Sequence, residues 1–122
     1  MAGRSTTDTR LIKEVVLLDP QMKKGLLDAC VLHVLTEGDT YGYRLTQEIM
    51  ELMDTSESSL YPVLRRLEAQ GCLETYSTEH SGRLRRYYKI TETGVKRLIE
   101  YRKELSELKR IIDFVIGGEK NG

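Results

Sequence analysis

The sequence predicts a mainly α-helical fold with a two-stranded β wing and a long C-terminal dimerisation helix, and three observations carry that prediction. Helical hydrophobic periodicity recurs in successive segments ahead of Gly71. Two alternating runs rich in aromatic and β-branched residues, "CLETYST" and "RRYYKIT", follow, separated only by "EHSGRL" with a glycine in the connection. After them, a last helical segment carries apolar residues spaced three and four apart over more than two heptads. Helix, helix, helix, two-stranded wing, helix is the order of a winged helix-turn-helix.

Length and composition bound what such a fold can do. At 122 residues the chain is the size of one domain with one core. With 39% apolar and 31% charged residues it is too hydrophobic for a disordered chain and too interrupted by charge for a membrane protein. The longest uncharged apolar run, "ACVLHVL", is far too short to span a bilayer, so no membrane partner is expected. The opening "MAGRSTTDTR" lacks the apolar core of a signal peptide, which predicts a cytoplasmic protein. Cys30 and Cys72 show no CxxC spacing and no nearby histidine pair; they read as buried thiols, and neither a metal nor another cofactor is expected. The net charge is zero at pH 7, so an anionic partner must be met by a local basic patch.

The elements follow in order. "DTRLIKEVVLL" places Leu11, Ile12, Val15, Val16 and Leu18 at helical spacing behind a capping Asp8, predicting a partly helical N-terminal arm over residues 1–22. "KKGLLDACVLHVLTEG" is apolar on nearly every side, which a helix tolerates when several neighbours or a second subunit bury it. "YGYRLTQEIMELM" carries one apolar stripe of Leu45, Ile49, Leu52 and Met53. In "TSESSLYPVLRRLEAQG", Ser56 is the expected N-cap, Leu60, Val63, Leu64 and Leu67 share one face, and Ser58, Pro62, Arg65 and Ala69 the opposite one. The winged-helix domain is placed at residues 23–93. Thr91 is expected to cap the C-terminal helix of residues 94–116, with a flexible tail at 117–122.

A proline inside a helix interior costs about 3 kcal/mol. Pro62 faces outward, where a helix wrapped on a core has its longer and weaker hydrogen bonds, so the cost is lowered there. The face it shares carries Ser58, Ser59, Tyr61, Arg65 and Arg66, whose hydroxyls and guanidinium groups are donors for phosphates and guanine edges. The wing sequence "HSGRLRRYYK" adds Arg83, Arg85, Arg86 and Lys89 without one acid, interleaved with Tyr87 and Tyr88. Alternation sets Arg85, Tyr87 and Lys89 on one side and Arg86, Tyr88 and Ile90 on the other, with Tyr88 and Ile90 toward the core. Either patch alone is compatible with a solvated surface. A basic hairpin directly after a helix-turn-helix is a rarer combination, and it points to duplex DNA.

"YGYRLTQEI", "SESSLYPVLRRLEAQGCL" and "GRLRRYYKITETG" together resemble the PadR family of bacterial winged-helix regulators, from about Lys23 to the C-terminus. The family's aromatic-Gly-Tyr motif is Tyr41-Gly42-Tyr43 here, its Leu-Tyr-Pro motif is Leu60-Tyr61-Pro62, and its wing ends at Tyr87-Tyr88 ahead of Thr-Glu at Thr91. Where members often carry Glu-Gly-Thr, this chain has Glu57-Ser58-Ser59, and it is similar to the short subclass without a long C-terminal helical domain. The resemblance implies a ligand-responsive transcriptional repressor, adds Tyr41 and Tyr43 to the DNA-facing set, and implies a hydrophobic or aromatic small-molecule effector near a dimer interface.

Leu98, Tyr101, Leu105, Leu108, Ile112 and Val115 form the heptad seam of the last helix. The stripe either folds back on its own core or pairs with a second copy. A homodimer in which Leu26, Leu27 and Cys30 help bury the seam accounts for both apolar features, and it would present two recognition helices to a pseudo-palindromic operator. Two other classes compete. An enzyme lacks support, since neither His33 nor His80 has a nucleophile or carboxylate at useful spacing. A dimerising winged-helix adaptor without DNA binding is opposed by the basic wing, and salt-dependent binding to duplex DNA discriminates it.

Overall fold

The structure is a computed structural model that describes residues 20–117. The helix expected in "DTRLIKEVVLL" and the last five residues of the tail lie outside the described residues. The elements are α1 (Pro20–Thr36), β1 (Thr40–Tyr41), α2 (Gly42–Leu52), α3 (Glu57–Ala69), β2 (Leu73–His80), β3 (Arg83–Ile90) and α4 (Glu92–Ile116). Helix α1 begins at Pro20, inside the segment read as an arm; a proline in the first turn loses no hydrogen bond.

One core joins the four described helices and the sheet. Val31, Leu32 and Leu35 of α1, Leu45 and Ile49 of α2, and Leu60, Leu64 and Leu67 of α3 are fully buried against one another. Tyr88 closes the core from the sheet and Leu98 from α4. The apolar face read for α3 is the buried face, and Ser56 caps the helix by accepting the amide of Ser59 at 3.2 Å. At the other end the Cys72 amide returns to the Leu67 carbonyl and the Gly71 amide to Glu68, a Schellman closure that turns the chain straight into β2. Leu52 departs from the expected stripe and is 67% exposed. It is the last residue of α2 and stands over an open groove between α1, α2 and α4, beyond the reach of the core.

The wing is a long hairpin. β2 and β3 pair antiparallel from Leu73↔Ile90 to His80↔Arg83, and the turn residues Ser81 and Gly82 both have positive φ, as a two-residue type I′ connection requires. A third strand was not expected: β1 pairs with β3 at Thr40↔Tyr88 and Tyr41↔Tyr87, giving the order β1-β3-β2. Two residues show no alternation to read, and their pairing is made with a strand more than forty residues away.

α4 starts at Glu92, two residues ahead of the expected 94, behind the expected Thr91 cap, with Thr91 Oγ1 accepting the Gly94 amide at 3.0 Å and donating to the Gly71 carbonyl at 2.6 Å. Gly94 fits against the end of the hairpin so closely that a Cβ there would meet the Cys72 carbonyl oxygen at 2.3 Å. With 25 residues, α4 is about 37 Å long. Its second half runs past the core.

Candidate nucleic-acid interface

The outer ridge of α3 is built by the helix period itself. With Leu60, Val63, Leu64 and Leu67 inward, Ser58, Ser59, Pro62, Arg65 and Ala69 are left exposed. The Ser56 hydroxyl gathers the other two, lying 3.0 Å from Ser58 Oγ and 3.1 Å from Ser59 Oγ, so three hydroxyls cluster at the helix start. Arg65 forms no ion pair among the described residues. Tyr61 is half-buried, its ring edge 3.2 Å from where a Cβ on Gly42 would stand, so the glycine of Tyr41-Gly42-Tyr43 makes room for the tyrosine of Leu60-Tyr61-Pro62.

Pro62 is exposed on this ridge. Pro62→Ala restores a helical amide and is expected to raise stability by about 1 kcal/mol, read from the melting temperature. Affinity of the same variant for duplex DNA is expected to fall, because a proline bend in α3 would be lost and with it the aim of Ser58, Ser59 and Arg65. A stabilised variant with unchanged affinity would show that the proline is merely tolerated.

Arg66 is a correction to the sequence reading. Instead of facing outward, its guanidinium makes a two-pronged contact with the Asp28 carboxylate on α1, at 3.0 and 2.8 Å. The Tyr101 hydroxyl of α4 donates to the same carboxylate at 2.8 Å. The Asp28 side chain is only 4% exposed, and the bond to it holds the Arg66 charge on more firmly than usual. The Tyr101 phenol is pushed up to about 12, by burial first and by that hydrogen bond second. One carboxylate thus ties α1, α3 and α4 together, and Arg66 is engaged within the fold.

The wing divides its cations. Arg83 at the tip is exposed and unpaired among the described residues, and Lys89 is exposed across from Glu74. Arg85 lies with its guanidinium 4.3 Å above the Tyr41 ring, a cation–π contact that holds both side chains on the sheet. Tyr41, Tyr87 and Tyr76 form a row across the three strands, with centroids 5.7 and 5.6 Å apart. Arg86 leans back to the Glu68 carboxylate at 3.4 Å and the Thr75 hydroxyl at 3.3 Å. Tyr43, in the first turn of α2, is 57% exposed. Of the residues read as DNA-facing, Ser58, Ser59, Arg65, Tyr43, Arg83 and Lys89 are open to a ligand. Tyr41, Tyr61, Arg85 and Arg86 are partly engaged within the fold.

The apolar surface also differs from the expected seam. Leu27 and Leu98, read as dimer residues, are 5% and 3% exposed and belong to the monomer's own core, where the first turns of α4 still lie over the winged-helix body. Tyr101 is packed against that core through Asp28. Beyond it, Leu108, Ile112 and Val115 are exposed, as are three residues the heptad reading missed, Ile111, Phe114 and Ile116, with Phe114 at 84%. Leu26, Cys30 and Leu105 line the groove between α1, α2 and α4, which has a volume of about 470 Å³. Burial pushes the Cys30 thiol up, and its Sγ is 3.8 Å from Met53 Sδ. His33 is exposed beside Arg102 and Glu37. Among the described residues no three His, Cys, Asp or Glu side chains gather as a metal site, and no helix is long and apolar enough to cross a membrane.

Three helices closed by an antiparallel wing, with the outer face of the third helix open beside it, define a winged-helix domain. Residues 31–100 match the family described as "Transcriptional regulator PadR-like family", and the chain belongs to that family. The transcriptional regulator Rv3488 of Mycobacterium tuberculosis is 38% identical over 92 residues, covering 75% of this chain and 83% of that protein. The crystal structure of smu.1704 from Streptococcus mutans is similar with a TM-score of 0.75 at 40% identity, over 78% of this chain and 90% of that one. That of a PadR-like transcriptional regulator (BC4206) from Bacillus cereus is similar with a TM-score of 0.73 at 30% identity, over 81% and 99%.

Proposed function

We propose that the protein is a sequence-specific DNA-binding repressor, acting in the cytoplasm as a homodimer on a pseudo-palindromic operator and responding to a hydrophobic or aromatic small molecule. The observation that carries this reading is the pairing of an open hydroxyl- and Arg65-bearing ridge on α3 with an unpaired Arg83 at the tip of the adjacent wing. In this arrangement α3 enters the major groove and the wing meets the flanking phosphates. The exposed apolar second half of α4 supports pairing with a second copy. The groove lined by Cys30, Leu52 and Leu105 is the candidate effector pocket, with the dimension and apolar walls such a ligand needs.

The test is binding of the full chain to the promoter upstream of its own gene, titrated with salt and repeated with a panel of hydrophobic compounds. Arg83→Ala is expected to flatten the slope of log affinity against log salt by about 0.9, the value for one lost phosphate contact, with little change in sequence preference. Arg86→Ala is expected to change it less, because Glu68 already holds that guanidinium. A slope unmoved by Arg83→Ala would remove the wing from the phosphates. Absence of duplex binding at every salt concentration would leave the dimerising adaptor.

A further inference from the structure

Helix α3 is flanked by two clefts, one on each side of its exposed ridge. The cleft toward the wing is lined by Tyr61, Arg65, Glu68 and Arg86. The other, of about 330 Å³, lies between α3 and the start of α1, with Pro20, Lys23 and Lys24 on one wall and Ser59, Pro62 and Arg66 on the other. A helix seated in a major groove about 12 Å wide has a sugar-phosphate strand on each side of it. The wing can serve only one of the two.

Charge on the second side comes from the lysines. Arg66 is neutralised by Asp28, whereas Lys23 and Lys24 form no ion pair among the described residues, and no acidic side chain lines the cleft. Lys23 is half-buried and Lys24 exposed, and both line the cleft. Pro62 faces the same space, an apolar surface suited to a deoxyribose, and Ser59 adds a hydroxyl.

We propose that Lys23 and Lys24 form a second phosphate clamp that grips the operator strand on the side of α3 opposite the wing. The proposal rests on the DNA-binding reading above and extends it to two residues at the start of the winged-helix domain to which the sequence assigns no role. An ammonium group is a point charge without the planar fork that reads guanine, so the clamp sets register and affinity and carries no base preference.

The experiment compares the full-length protein with Lys23→Ala/Lys24→Ala on its own-promoter duplex and on an unrelated duplex of equal length. The double variant is expected to flatten the salt slope by about 1.8, for two phosphate contacts, to weaken both duplexes by the same factor, and to melt at the wild-type temperature. Lys23→Arg/Lys24→Arg is expected to keep the wild-type slope. If the alanine variant keeps the wild-type slope while Arg83→Ala flattens it, the clamp is overturned and the DNA-binding reading stands. If the wild type binds neither duplex, both are overturned.

Discussion

Arg66→Ala is expected to cost about 3–5 kcal/mol of folding stability, the range for removing one partner of a buried ion pair. The variant leaves the Asp28 carboxylate, 4% exposed, with only the Tyr101 hydroxyl to satisfy it. Urea unfolding measures the effect as a lower midpoint at unchanged slope. At a temperature where the variant remains folded, the salt slope of DNA binding is expected to match wild type, because Arg66 meets Asp28 and not phosphate. A flattened slope with little loss of stability would return Arg66 to the DNA face. The same cluster has an alkaline signature. Tyr101 ionises at about 12 in the folded protein against about 10 for an ordinary phenol, so folding favours its neutral form. That contribution is present in full below about pH 10 and is lost as pH rises to about 12, and Tyr101→Phe is expected to remove this part of the alkaline loss.

Ile112→Asp combined with Val115→Asp is expected to convert the protein to a monomer of 14.0 kDa by sedimentation and to lower operator affinity by about a hundredfold or more, the advantage of holding two half-site binders together. Both side chains are already exposed in the single chain, at 42% and 73%, so the winged-helix core has no stake in them and the melting transition of the monomer should persist. This makes them cleaner probes than Leu105, which is half-buried in the groove wall. A double variant that sediments as a dimer would show that the end of α4 is not the seam.

These expectations separate features written in local sequence from features made by folding. The face of α3, its Ser56 cap, the outward Pro62, the glycine-bearing hairpin tip and the Thr91 cap all rest on interactions between residues two to four apart, and each is legible because helix and strand periods are local properties. The six motif residues of Tyr41-Gly42-Tyr43 and Leu60-Tyr61-Pro62 were legible as motifs, but the contact of Tyr61 with Gly42 that explains them was not.

What the tertiary structure alone decided was how similar side chains are divided between roles. Arg65 and Arg66 are neighbours with the same chemistry; one is open and the other is held by Asp28, 38 residues earlier, on a helix whose apolar sequence hid a buried carboxylate. Tyr101, 73 residues from Asp28, is drawn out of the seam by the same group. The seam itself is uniform in sequence from Leu98 to Val115, yet its first residues are core and its last are surface, because a helix of 25 residues is longer than the body it packs on. Lys23 and Lys24 acquire a candidate role only when α1 is laid beside α3. Sequence periodicity determined which face of α3 turns inward, since that depends on the chain's own geometry. Which charges are left free depends on partners far along the chain, and only the folded arrangement brings those partners together.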